Sequence, residues 1–163
     1  MTLDALNRCS RERFVQVLGG VFEHSPWVAE AVVDARPFAT HGDLYRAMCD
    51  AVRQAGEERQ LALIRGHPDL VGRVVLTEVS AREQAGAGLM QLSPEEIARF
   101  DHYNAEYKAQ FGFPFVICAR RNRKEAMLRA FPERLTHTRE AEMATALDQI
   151  FQIASFRLDD LLP

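Results

Sequence analysis

Gly66, His67 and Pro68 stand in a row, and each constrains its neighbour. A glycine lets the chain leave a helix in a left-handed turn. A proline pushes the residue before it out of the helical region toward an extended conformation. His67 is therefore expected on a constrained connection, where an imidazole can be aimed as proton donor or acceptor near neutral pH. An ordinary loop histidine is the alternative. Ser80, Glu83 and Gln84 form a second candidate group. Ser-x-x-Glu is also the helix capping box, and Ser93 to Glu96 repeats that pattern with no accompanying chemistry. What sets the first apart is Ala85-Gly86-Ala87-Gly88, whose glycines each cost a helix about 1 kcal/mol. Such a weakened helix points to close approach of another backbone or a ligand.

Arg157 is the third candidate, on helical geometry. Met143, Leu147, Ile150, Ala154, Leu158 and Leu161 fit one apolar stripe roughly 100° wide, and Arg157 points into the same arc. A guanidinium aimed at a core is costly unless an anion or several acceptors meet it. One reading gives Arg157 a substrate pocket and no fixed anion of its own. The other has its stem packed and its head in water or on the last helix carbonyls. The remaining histidines carry less. Asp101-His102 lacks the second histidine that a metal-binding helix needs. His24, His41 and His137 fall at expected helix ends and are read as exposed. Phe100, Tyr103, Tyr107 and Phe111 make a stripe that reads as core.

These side chains need helices to hold them, and the sequence supplies little else. Ser10 is a candidate N-cap before Phe14, Val17, Leu18, Val21 and Phe22. Ser25-Pro26 opens a second helix, and Thr40 caps a third that ends at Gly56. A fourth runs from about Glu57 to Arg65 and stops at Gly66. Further starts are expected at Ser80, at Ser93-Pro94, after Asn122 (ending near Pro132) and at Thr138, with the last helix reaching Leu161. Residues 113–119 are apolar and contain Pro114, which suits one short extended segment. Nothing alternates at period two for long. The expected fold is an all-α, multi-helix bundle of a single domain, residues 1–163.

Composition narrows the partners. Among 163 residues, 47% are hydrophobic and 26% charged, ordinary values for a globular protein. Twenty Lys and Arg against 23 Asp and Glu leave a net charge of -3, which argues against a phosphate-driven nucleic-acid binder. The short basic run Arg120, Arg121, Arg123 and Lys124 reads as a solvated turn. Cys9, Cys49 and Cys118 are odd in number and widely spaced, so neither a disulfide framework nor a metal site is expected. No apolar run approaches the roughly 18 residues of a membrane span, and the N-terminus does not read as a signal peptide. A reducing compartment is the expectation.

Taken together, the motifs resemble the 2-oxo-4-hydroxy-4-carboxy-5-ureidoimidazoline (OHCU) decarboxylase family. The matching residues run in order through most of the chain: His67-Pro68-Asp69-Leu70, Leu76-Thr77, Ser80-Ala81-Arg82-Glu83-Gln84 and Ala87-Gly88-Leu89. They continue through Phe100, Asn104 to Tyr107, and Phe111-Gly112-Phe113-Pro114-Phe115-Val116-Ile117, and close on Ile153-Ala154 and Arg157-Leu158. The residues between Gly72 and Ser80 depart most from the family pattern.

The resemblance implies an all-helical homodimer of the cytoplasm that converts OHCU to (S)-allantoin and carbon dioxide with no cofactor. It implies His67 as the proton donor, with Glu83 and Arg157 as the other catalytic residues. Pro68, Ser80, Glu83, Gln84, Arg157 and the segment Phe115, Val116, Ile117, Cys118 and Ala119 would contact substrate. No nucleic acid, membrane or metal enters, and the expected coupling is to the upstream hydrolase of urate degradation. Two other classes stay in view. His67-Pro68-Asp69 is also the tripeptide of J-domain co-chaperones, although Tyr45 to Arg65 mixes charge signs where that module is strongly basic. A helical interaction module without activity would leave Arg157 merely packed.

Overall fold

Side-chain caps and apolar stripes translate into helices almost wherever they occur. The computed structural model of the protein describes residues 1–72 and 76–163, and its regular structure there is entirely helical. The elements are α1 (Leu3–Arg8), α2 (Arg11–Leu18), α3 (Trp27–Val32), α4 (His41–Gln54), α5 (Glu57–Arg65), α6 (Glu78–Gly86), α7 (Pro94–Phe111), α8 (Lys124–Arg134) and α9 (Arg139–Leu161), with a single 3-10 turn at Val33–Ala35. The fold class is all-α, as expected. Residues 73–75, within the stretch expected to depart from the family pattern, lie outside the described residues.

The chain forms two compact units, residues 1–66 with 151–163, and residues 67–150. In the first, Thr2, Ser10 and Thr40 each accept an amide of the helix they cap. Leu6, Phe14, Leu18, Val28, Leu44, Val52 and Ile64 make its core. The stripe expected to continue through Val21 and Phe22 does not stay helical. α2 stops at Leu18, where the Gly19 backbone crosses so close that a Cβ there would lie 2.7 Å from the Val15 carbonyl. Val21 and Phe22 are still buried, presented by the turn rather than by the helix. Gly66 also departs from expectation. Its φ of −73° is right-handed, because its amide is held by the carbonyls of Ala62 and Leu63 at 3.0 and 3.2 Å.

The second unit is built on aromatic contacts. Phe115 stacks on Phe131 with centroids 3.8 Å apart, and Tyr107 meets Phe111, Phe113 and Phe115 within 6.0 Å. The expected aromatic stripe of α7 is therefore core. Ser93 and Glu96 form a complete capping box at its start, and Gly112 ends it in a left-handed turn with φ 79°. α8 runs through Pro132 to Arg134, two residues beyond the expected end. Residues 113–118 are buried without joining a helix, and the basic run leads into α8 from an exposed turn.

Candidate active site

His67 begins the second unit and is buried at 8% exposure. The residues after it are held from two helices, α6 and α7. Asn104 of α7 donates to the Leu70 carbonyl at 2.8 Å, and Lys108 pairs with Asp69 at 2.6 Å. Gln84 of α6 accepts from the Val71 amide at 3.2 Å and donates to the Asp69 carbonyl at 3.4 Å. Val71 has φ 58°, a left-handed conformation that a β-branched residue adopts only under constraint. Strain of that kind, clamped beside a buried histidine, is typical of a site whose geometry matters more than its comfort.

Ser80 and Glu83 are not where a capping box would put them. α6 begins at Glu78, and its cap is Thr77, whose hydroxyl accepts from the Ser80 amide at 3.1 Å. Ser80 is thus inside the first turn and buried, and Glu83 is one turn further on. Both side chains are released from capping. Gly88 ends the helix where another stretch of backbone comes close, the Lys124 amide donating to the Ala87 carbonyl at 3.2 Å. The Gly88 amide bonds the Ala85 carbonyl and the Leu89 amide the Gln84 carbonyl, with Gly88 at φ 87°, while a Cβ on Gly86 would meet open space.

Glu83 lies near the segment 113–119. Burial raises the Cys118 thiol pKa, and the nearby Glu83 carboxylate pushes it further the same way. That segment has two unlike edges. The Val116 carbonyl accepts from Arg134, the Cys118 amide donates to Gln149, and the Cys118 carbonyl accepts from Asn122. The Cys118 amide is thus already bonded within the protein. Ile117 and the amide of Ala119, by contrast, have no hydrogen-bond partner among the described residues. Ile117 is 9% exposed, and a buried amide left over is rare unless something else is meant to meet it. The Asn104 Oδ1 is likewise buried without a partner among the described residues.

Arg157 lies in the first unit, 5% exposed, so it does point inward. The expectation that it has no fixed anion fails. Its Nη2 pairs with Glu23 Oε2 at 3.0 Å, and Nη1 donates to the Gly20 carbonyl at 3.2 Å. Glu23 is 3% exposed and precedes His24, a non-glycine residue with φ 49°. His24 and His137 are exposed as expected, whereas His41 is half-buried.

Sequence reasoning missed several groups. Glu23 sits in a turn with no periodicity to mark it. Glu142 and Arg134 form a buried pair at 2.7 Å, and Tyr107 donates to the same carboxylate at 2.5 Å. Burial and that hydrogen bond drive the Tyr107 pKa far up, so the phenol stays protonated. A signal for Glu142 existed, since it falls at i, i+4 and i+8 with buried Ala146 and Ile150.

Fold and side chains together define an all-α protein with a buried histidine at the head of a strained loop that Gln84, Asn104 and Lys108 hold in place. The OHCU decarboxylase family profile matches residues 7–159. A 2-oxo-4-hydroxy-4-carboxy-5-ureidoimidazoline decarboxylase of Haloferax volcanii is 41% identical over 158 residues, covering 97% of this chain and 94% of its own length. A uric acid degradation bifunctional protein of Bacillus sp. strain TB-90 is 40% identical over 161 residues, but the chain spans only 32% of it. The crystal structure of (S)-allantoin synthase superposes with a TM-score of 0.83 at 31% identity, over 99% of this chain and 54% of that one. The chain belongs to the OHCU decarboxylase family.

Proposed function

We propose that this protein decarboxylates OHCU to (S)-allantoin in urate degradation, with residues 1–163 working as one catalytic domain. The observation that carries the reading is the family match along residues 7–159. The substrate's carboxylate leaves a ring carbon beside carbonyl- and imine-type functions. The C–C bond breaks, carbon dioxide departs, and the electron pair passes into those functions, so the substrate is its own electron sink and no cofactor is called for. What remains for the protein is to hold an anion, exclude water and return one proton to one face.

Each side chain then has a task. Arg157, whose guanidinium also serves Glu23 and the Gly20 carbonyl, supplies positive charge toward anionic substrate oxygens. Glu83 bonds ureido and ring N–H groups and orients His67. Gln84 has two amide hydrogens, and one remains for substrate after the Asp69 carbonyl is satisfied. His67 gives its proton to the carbanion-like centre and regains one from solvent. Pro68 and Ser80 line the site with Phe115, Val116 and Cys118, while Ile117 and Ala119 offer their amides to ring acceptors. The working form is a cytoplasmic homodimer. Coupling to another enzyme of urate degradation, which we take to be the upstream hydrolase, is supported by the bifunctional relative, whose name gives one chain two functions in uric acid degradation.

Freshly generated OHCU, followed by absorbance or circular dichroism, tests this directly. The protein should speed its loss and yield the (S) product. His67→Asn should fold normally and lose about 10²-fold or more in rate, the minimum expected of a general acid. A variant within about threefold of wild type would remove the proton-donor role. No acceleration by the wild type would remove the function.

A further inference from the structure

Successive residues of an extended chain present their N–H and C=O groups to opposite edges. In the segment 113–119 the protein bonds one edge and leaves the other. Val116 and Cys118 are bonded by Arg134 at 2.7 Å, by Gln149 at 2.9 Å and by Asn122 at 3.0 Å. Ile117 and the amide of Ala119, where the segment passes into a turn closed by the Arg121 amide on the Cys118 carbonyl at 3.1 Å, have no partner among the described residues.

Arg134 is itself immobilised. It is 6% exposed, and its Nε donates to Glu142 at 2.7 Å. Its guanidinium lies 4.2 Å above the Phe115 ring and 5.7 Å from that of Tyr107. Glu142, fully buried, is fixed in turn by Tyr107 and by His137 Nδ1 at 2.9 Å. One planar fork thus joins a helix carboxylate, an aromatic face and a backbone carbonyl of the segment. Only arginine has the geometry for all three.

We propose that Arg134 and Gln149 are positioning residues for the decarboxylation, an inference that rests on the function proposed above. Neither touches substrate. They fasten the even-numbered edge of the segment so that Ile117 and Ala119 stand ready for the ring acceptors, and binding does not have to order them.

Two substitutions test this. Gln149→Met keeps the volume of a half-buried side chain and removes the acceptor for the Cys118 amide. Arg134→Lys keeps a cation beside Glu142 and loses the fork. Each should raise KM for OHCU about five- to tenfold, the worth of a hydrogen bond or slightly more, with kcat within about twofold. His67→Asn should show the opposite split. Amide exchange at Ile117 and Ala119 should quicken about tenfold in both variants, with the first unit unchanged. If Arg134→Lys does not fold, Gln149→Met carries the test alone. A folded Gln149→Met with wild-type KM, or with lowered kcat at unchanged KM, overturns the inference and leaves the decarboxylase assignment standing. A wild type that does not turn OHCU over removes the assignment instead. In that case unchanged exchange at Ile117 and Ala119 in the variants would overturn the clamp as well.

Discussion

Arg157 shows both what a single residue reveals in sequence and what it hides. Its place on the inward arc of α9 was legible from helical period alone. Its partner was not, because Glu23 lies 134 residues away in a turn that no periodic pattern predicts. The pairing reverses the expected energetics. Were the guanidinium without an anion, Arg157→Met would leave stability unchanged or raise it. With Glu23 at 2% side-chain exposure beside it, the same change strands a buried carboxylate, and it should cost about 3–5 kcal/mol. Arg157→Met with Glu23→Gln removes both charges and should recover most of that loss, while neither variant decarboxylates OHCU. Urea denaturation of the two variants and the wild type measures this. A single variant as stable as the wild type would show that Glu23 does not depend on the pair.

At the scale of the element, α6 separates folding from chemistry. Its start was misplaced in sequence because Ser80-x-x-Glu83 and Thr77-x-x-Ser80 are both plausible caps, and only the path of the preceding loop chooses between them. The structure chooses Thr77. The helix starts set by unambiguous signals, Thr40 and Ser93-Pro94, were both readable, since a cap and an apolar stripe agree there. Glu83→Gln should therefore leave the melting temperature close to wild type and abolish most activity. Thr77→Ala and Ser93→Ala each remove a hydroxyl that accepts a first-turn amide, and should cost about 1 kcal/mol. Ser93→Ala should keep full activity per folded molecule. Thermal melts set beside decarboxylation rates distinguish the two classes, and a Glu83→Gln protein that is destabilised yet active would return that residue to a structural role.

For the molecule as a whole, the all-helical class was legible because α-helices announce themselves locally. What joins them was not: the Arg134–Glu142 pair links α8 to α9, and the Asn104 bond reaches from α7 to Leu70, 34 residues away. Those long-range polar contacts hold a loop and an extended segment that have no regular structure of their own. A fold spent on positioning suits a reaction whose electron sink belongs to the substrate, for the protein then contributes geometry, dryness and one proton. Activity should in that case belong to the polypeptide alone. Protein unfolded in guanidinium chloride, dialysed against a metal chelator and refolded should regain its full rate per folded molecule with nothing added back. Hydroxylamine, which captures reactive carbonyl cofactors, should leave the refolded enzyme unaffected when removed before the assay. Refolded protein with native circular dichroism that stays inactive until a divalent metal or a carbonyl cofactor is supplied would contradict this account of the chemistry.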